Sequence, residues 1–394
     1  MDIELTAEQE AARGQFRDFV ERRLMPYADE YDRQEEMPAG LIGEVAELGY
    51  LGGLVPEQYG GVGMDSITWG LLCEEIGRGS ASLLSLFTVQ GMVIQSILKW
   101  GNEDQRQDWL PRLATGEIIG GFALTEPNVG SNASSVETRA TLIDGHWRLH
   151  GQKRWISFGQ VSNLFVVFAQ SEGKSVALLV ERDCQGFSTK PITGMLGFRS
   201  AMLADIFLDG CKVPQAHLLG RAGFGFSHVG GAALDQGRYS IAWGCLGLAQ
   251  GALDASLAYS GQRRQFGKPL KEHQLIQELL ADMITQIQAA RMLCYRAASL
   301  KQRGEPSLIM ETSIAKYFAS RMAAKVSADA VQIHGANGCS DQYPVQRYLR
   351  DAKIMEIIEG SNQMQQIIIA KHGYQEHAVK QQRLAQSKDD GGEA

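Results

Sequence analysis

The chain has 394 residues, more than most single domains, so two or three layers of structure are expected. Its net charge of −7 argues against nucleic acid as the main partner, since proteins that track phosphates carry a basic patch. Its six scattered cysteines include no Cys-x-x-Cys pair, which argues against a zinc ribbon or a disulfide framework and favours buried, reduced thiols in a cytoplasmic protein.

Residues 1–118 are predicted to form an α-helical domain. Thr6 and Gln9 make a capping-box pattern, and apolar residues then repeat at helical spacing up to Pro26. The N-terminus lacks the features of an export signal, and no apolar run approaches the roughly 18 residues of a membrane span. Further helical patterns lie at 40–50, 65–78, 83–100 and 103–114.

Residues 119–230 change to short β-branched or alternating runs separated by Gly, Asp and Asn turns. This pattern is typical of a small antiparallel β-domain. The predicted strands lie at 136–142, 147–149, 164–170, 175–181 and 204–208.

Residues 231–378 return to the helical period, and long segments with short connectors predict a four-helix bundle. The fold class is therefore α+β, with a helical, a β and a second helical domain. Residues 379–394 are polar and are expected to be a frayed tail. The four predicted helices lie at 232–260, 272–302, 306–334 and 343–372.

Glu359 is the main candidate for chemistry, because it is a carboxylate in an otherwise apolar segment. Four apolar residues lie just before it, and Gly360 follows, which allows a close backbone approach or a helix break. Desolvation would raise its pKa from about 4.3 toward the range of a general base near neutral pH. A buried structural acid is the alternative interpretation.

Other segments suggest ligand binding, although each also has an ordinary structural explanation. The loop 122–132 offers hydroxyls and backbone N–H groups to an anion or a ring edge, or is a polar connection. Trp155 could stack on a flat heterocycle or lie in the core. The two arginines in 262–269 could bind phosphate or form a solvated turn. His334, in the segment 332–338, is expected to be structural.

In this order and spacing, the segments resemble the acyl-CoA dehydrogenases, flavoenzymes that oxidise acyl thioesters between Cα and Cβ. The resemblance covers nearly the whole chain. It rests on Leu124-Thr-Glu-Pro with Gly130-Ser131, Trp155-Ile-Ser157, Arg263-Arg-Gln-Phe-Gly-Lys-Pro-Leu270, Tyr348-Leu-Arg-Asp-Ala-Lys353 and Glu359-Gly-Ser-Asn-Gln363.

The resemblance implies FAD as the cofactor and Glu359 as the base that removes the α-proton while hydride leaves Cβ for N5 of the flavin. Thr125 and Ser157 would bond the flavin, with Leu124 and Trp155 packed on or beside its ring. No metal is implied. The implied cofactor-binding residues are Phe122, Leu124, Thr125, Gly130, Ser131, Trp155, Ser157, Arg263, Phe266, Gln332, Gly335, Ser361 and Gln363. The implied substrate-binding residues are Ser131, Asp235, Arg238 and Gly360.

The resemblance also implies partners. Arg263, Phe266, Gln332 and Gly335 would reach the FAD of a neighbouring subunit, so a homo-oligomer is expected, in the family usually a tetramer. The electron acceptor would be an electron-transfer flavoprotein or a similar protein. The chain departs from the family pattern at Ala336, Cys339, Met202, Leu203, Ser157 and Ile358, which affects ligand contacts and the pocket walls.

Several alternatives stay open at this stage. The thioester could be an acyl or aminoacyl group on a carrier protein instead of CoA, because the chemistry is the same. An oxidase or a non-catalytic relative is also possible. A di-iron protein is argued against by the absence of Glu-x-x-His, and a nicotinamide enzyme by the missing third glycine after Gly223 and Gly225.

Overall fold

The computed structural model describes residues 4–305 and 307–389, with side chains up to residue 381. Its N-terminal part is helical, as predicted. The Thr6 side chain accepts a hydrogen bond from the N–H of Gln9, whose side chain accepts one from the N–H of Thr6, so the capping box is present. The short helix α2 was not predicted. The helices are α1 Ala7–Phe19, extended by a π-helical turn Val20–Leu24, α2 Ala28–Gln34, α3 Ala39–Glu47, α4 Ser66–Gly79, α5 Ala81–Trp100 and α6 Glu103–Ala114.

Helix α5 is long and apolar enough, by composition, to cross a membrane, which the sequence analysis did not expect. However, 89% of its most apolar window is buried inside the protein. It packs against α4, α6 and the first strand of the β-domain. We therefore describe α5 as a core helix.

The middle domain is built on a seven-stranded sheet in the order β1-β4-β2-β3-β7-β6, with β5 paired to β4. Strand β1 pairs with β4 in parallel, so the expectation of a wholly antiparallel sheet is wrong. The strands β1 and β6 were not predicted. The strands are β1 Gly120–Ala123, β2 Arg139–Ile143, β3 His146–Ile156, β4 Leu164–Ser171, β5 Lys174–Glu181, β6 Phe187–Pro191 and β7 Ala204–Pro214.

A disulfide joins Cys184, in the turn after β5, to Cys211 on β7. The prediction that all cysteines are reduced is therefore wrong for this pair. The two residues lie 27 positions apart, and only the folding of the sheet brings them together. Cys73, Cys245 and Cys294 are buried free thiols, and Cys339 is exposed.

The C-terminal part is a helical bundle, but its last predicted helix, 343–372, is two helices. They are separated by the segment 356–361, which carries Glu359. The final helix continues to Asp389, so the expected frayed tail is wrong up to that residue, and 390–394 lie outside the described residues. The elements are α7 Gly231–Gln262, β8 Arg264–Gln265, β9 Lys268–Pro269, α8 Gln274–Gln302, α9 Leu308–His334, α10 Val345–Met355 and α11 Asn362–Asp389.

Glycines allow the N-terminal helix α4 to approach the bundle helix α7 closely. A Cβ added at Gly247 would lie 1.8 Å from the backbone oxygen of Glu74, and one added at Gly77 would lie 2.5 Å from the backbone oxygen of Gly244. Because these neighbours are backbone atoms, they cannot move aside without shifting a helix. The contact fixes the position of α7 against the N-terminal domain.

We expect Gly247→Ala to lower the melting temperature by about 5 °C, because the new methyl group forces the two helices apart. Thermal unfolding followed by circular dichroism measures this. Gly14→Ala is the matched control, since Gly14 is an exposed helical glycine whose added Cβ would meet nothing within 4 Å. Equal melting temperatures for the two variants would contradict the close-contact argument.

Candidate active site

A cavity of about 760 Å³ lies between the β-domain, α5, α7 and the turn that precedes α11. It brings together most of the site residues expected from the sequence, although they come from distant parts of the chain. Those that line it are Phe122, Leu124, Thr125, Gly130, Ser131, Trp155, Ser157, Arg238, Glu359, Gly360 and Ser361.

The remaining expected cofactor residues lie outside this cavity. Arg263, Phe266, Gln332, Gly335 and Gln363 do not line it, and Phe266 is 95% exposed. The loops and helix ends that carry the first four lie at one end of the bundle. There, the ring of Tyr259 on α7 stacks on that of His334 on α9, with the ring centroids 4.2 Å apart.

Asp235, which was expected to bind substrate, does not line this cavity. It is buried on α7, and one carboxylate oxygen lies 3.4 Å from Nζ of Lys301 on α8. The side chain is committed to a helix–helix ion pair. Burial of the carboxylate explains why it needs this partner.

Glu359 lies in a left-handed turn of two residues, with φ of +54° at Glu359 and +80° at Gly360. The left-handed conformation costs a non-glycine residue about 1–3 kcal/mol and persists only where the surroundings hold it. Side chains from two helices hold the first carbonyl of the turn. Arg238 Nε on α7 and Gln365 Nε2 on α11 each donate to the Glu359 carbonyl at 3.3 Å.

The carboxylate of Glu359 faces the cavity without a compensating partner. Its Oε2 atom is buried and has no hydrogen-bond partner among the described residues. Burial raises the pKa of Glu359 to about 7, while the positive charges of Arg238 and Lys316 act in the opposite direction. The group can therefore take up and release a proton near neutral pH.

Gly237 makes room for this carboxylate. A Cβ added at Gly237 would lie 2.2 Å from Oε2 of Glu359 and 3.0 Å from Sδ of Met92. Gly237 was not among the site residues expected from the sequence. A glycine inside a helical pattern was the available signal, but its meaning depends on which side chain packs over it.

Another part of the cavity has the features of a wall for a flat ligand. Trp155 at the end of β3 is 44% exposed and has a φ of +62°. The hydroxyls of Thr125 and Ser157 line the same cavity, and neither makes a hydrogen bond to any residue in 4–305 or 307–389. An aromatic face beside two free hydroxyls suits a heterocycle with polar edge atoms.

A buried ion pair supports this wall. Lys153 Nζ lies 2.7 Å from Oε1 of Glu126 and 3.3 Å from the Leu124 carbonyl. Burial lowers the pKa of Lys153 to about 8, and the Glu126 charge opposes that change. Next to it, the N–H of Arg154 donates to the Thr125 carbonyl at 2.8 Å. These bonds fix the loop after β1 to the end of β3. The ion pair was not predicted from the sequence, because its two residues lie far apart in the chain.

Family models match nearly the whole chain. The N-terminal domain of the acyl-CoA dehydrogenases matches residues 6–117, the middle domain 121–211 and the C-terminal domain 223–374. An acyl-CoA dehydrogenase of Bacillus subtilis is 40% identical over 376 residues, covering 94% of this chain and 99% of that protein. A glutaryl-CoA dehydrogenase of Desulfococcus multivorans is 35% identical over 380 residues, covering 94% and 97%.

Solved structures agree with these matches. The butyryl-CoA dehydrogenase of Megasphaera elsdenii has a TM-score of 0.91 at 36% identity, covering 94% of this chain and 99% of that one. A glutaryl-CoA dehydrogenase of Mycobacterium smegmatis in complex with FADH2 has a TM-score of 0.89 at 30% identity, covering 93% and 95%. A chain in the structure of an electron transferring flavoprotein of Acidaminococcus fermentans has a TM-score of 0.92 at 36% identity, covering 94% and 99%.

Proposed function

Because the chain belongs to the acyl-CoA dehydrogenase family and is an FAD-dependent acyl-CoA dehydrogenase, we propose that Glu359 is the base that removes the α-proton of the substrate. The observation that carries the proposal is the unpartnered, buried Oε2 atom at the cavity, together with the pKa of about 7. A base works best when its pKa lies near the operating pH. Proton transfer to Oε2 neutralises a carboxylate whose ionised form is already disfavoured by burial.

The cofactor wall is proposed to consist of Trp155, Thr125 and Ser157, with Phe122, Leu124, Gly130 and Ser131 completing it. Bound FAD supplies the acceptor for the hydride that leaves Cβ. The free hydroxyls of Thr125 and Ser157 bond the edge of the cofactor, and the Lys153–Glu126 pair keeps their loop in place. Ser361 binds the same group from the side of the base.

The backbone of the base also takes part. The N–H of Glu359 has no acceptor within residues 4–305 and 307–389. It can donate to the thioester carbonyl and stabilise the negative charge that grows there as the α-proton leaves. One residue with a positive φ therefore carries both a cavity-lining carboxylate and an N–H that has no acceptor among the described residues.

The acyl chain is proposed to occupy the apolar part of the cavity, where burial of its methylene groups stabilises the complex. Arg238 keeps the base turn in place from the adjoining helix. The apolar side chains that line this part are Val89, Met92, Phe198, Ile241, Ile354 and Ile358.

The residues at the end of the bundle are proposed to bind the FAD of a second copy of the chain. This assigns Arg263, Phe266, Gln332 and Gly335 to a shared site, with Gln363 at the dinucleotide, in a homo-oligomer that we propose is a tetramer. An exposed aromatic ring beside an arginine is suited to contact a nucleotide of a neighbour.

We further propose that an electron-transfer flavoprotein accepts the electrons and that the protein acts in the cytoplasm.

Glu359→Gln tests the base directly. The protein should keep its fold and its yellow colour, while anaerobic bleaching of the flavin by a panel of acyl-CoA and acyl-carrier-protein thioesters slows by at least about 100-fold, since the amide cannot take the proton. Glu376→Gln, an exposed position on α11, is the control and should bleach normally. Normal bleaching of the Glu359→Gln variant, or bleaching of the wild type only by carrier-protein thioesters, would overturn the proposed function.

Gly237→Ala should reduce the same bleaching rate by about 100-fold with little change in melting temperature. The new methyl group meets the free ends of two flexible side chains, which can move aside cheaply, but the carboxylate then leaves its reactive position. Gly231→Ala, on the same helix with nothing within 4 Å, is the matched control. Full activity of the Gly237→Ala variant would show that the carboxylate acts from another position.

The pH dependence of kcat/KM should show an acid limb with a midpoint near 7. Below that pH the Glu359 carboxyl is protonated and cannot act as a base, so kcat/KM falls about tenfold per pH unit; just above it the carboxylate is ionised and kcat/KM levels off. Steady-state assays from about pH 5 to about pH 9 span this transition on both sides. A midpoint near the ordinary value of a glutamate would contradict the assignment.

A further inference from the structure

Lys316 on α9 is a buried cation that none of the steps above uses. It is fully buried, and its ammonium group has two acceptors, the Gly360 carbonyl at 3.0 Å and Oδ1 of Asn362 at 3.3 Å. Neither acceptor is a carboxylate. A lysine in such surroundings is costly to bury, so its place beside the base turn calls for a physical explanation.

The contacts of Lys316 tie the turn to the bundle at its C-terminal side. Ser320, one helical turn further along α9, donates to the same Asn362 oxygen at 2.8 Å. The N–H of Asn362 donates to the Glu356 carbonyl at 2.9 Å, which closes the segment 356–362 on itself. Helix α9 therefore holds both the second residue of the left-handed turn and the first residue of α11.

The charges around Lys316 come from two elements packed against α9. Glu359 and Glu356 belong to the turn segment, and Arg238 and Cys245 belong to α7. Burial raises the pKa of the Cys245 thiol to about 12, so the thiol is neutral near pH 7. The negative charges that face the ammonium group are thus the two glutamates, and of these only Glu359 lines the cavity.

From these contacts we infer that Lys316 is a positioning residue for the reaction: it holds the turn through the Gly360 carbonyl and supplies the positive charge that favours the ionised form of Glu359. The inference rests on the proposed function of Glu359 as the base. Arg238 provides a second positive charge from α7, but its Nε donates to the Glu359 carbonyl itself. The two cations act on successive carbonyls of the same turn.

Two substitutions separate the roles of charge and hydrogen bond. Lys316→Met removes both, whereas Lys316→Gln keeps an N–H donor without the charge. In Lys316→Met, the pH midpoint of flavin bleaching by an acyl-CoA thioester should rise by about one unit, because the carboxylate loses an attractive charge, and the plateau rate should fall by about tenfold. In Lys316→Gln, the midpoint should rise similarly with a smaller loss of plateau rate.

Lys325→Met is the matched control, because Lys325 is a half-exposed lysine on the same helix that pairs with Asp329. Its midpoint should equal that of the wild type. Lys316→Arg, which restores the charge, should return the midpoint toward the wild-type value. Flavin content and melting temperature are measured for each protein, and if Lys316→Met does not fold, the Gln and Arg variants decide the question.

The outcomes distinguish this inference from the proposed function. If Glu359→Gln abolishes bleaching but the Lys316 variants keep the wild-type midpoint and change only the melting temperature or flavin content, Lys316 is structural and the inference is overturned. If Glu359→Gln bleaches normally, the proposed base is wrong and the inference is overturned with it. A raised midpoint in the Met and Gln variants, reversed in the Arg variant, supports the role of the charge.

Discussion

Two consecutive left-handed residues, Glu359 and Gly360, interrupt what would otherwise be one long helix, and the site depends on this interruption. On a regular helix, the carboxylate would be one of a row of neighbouring side chains on the same helix face. In the turn it points into the cavity, with its own N–H free of any acceptor among the described residues. The strain of the turn is held by donors from α7, α9 and α11, so the C-terminal bundle is the support of the proposed base.

The N-terminal and middle domains contribute other parts of the cavity. Helix α5 and the loop after β1 both line it, and the buried Lys153–Glu126 pair holds that loop. No single domain contains the site. Burial of the Glu359 carboxylate raises its pKa, and the cavity that this carboxylate lines has residues from all three domains.

Much of the helical framework could be predicted from local signals. The capping box at Thr6 and the apolar periodicity depend on interactions between residues that are close in the sequence. The break in the last bundle helix had one local signal, Gly360, but both flanking segments keep the helical period, and the sequence therefore predicted a single helix over 343–372. Gly237 and Lys316 were missed for a different reason. Their importance lies in contacts with the distant segment that carries Glu359, and no local pattern reports such contacts. Cys184 and Cys211 become neighbours only after the sheet has formed.

Helix α7 connects two of these constraints. Near its start, Gly237 leaves space for the carboxylate, and about three turns later Gly247 lies against the backbone of Glu74. A slip of one residue, about 1.5 Å along the axis, would lose both fits at once. The spacing of these two glycines along α7 therefore determines how far the proposed base lies from the N-terminal domain. A residue inserted or deleted between Gly237 and Gly247 would disturb the packing of the carboxylate, the packing against Glu74, or both.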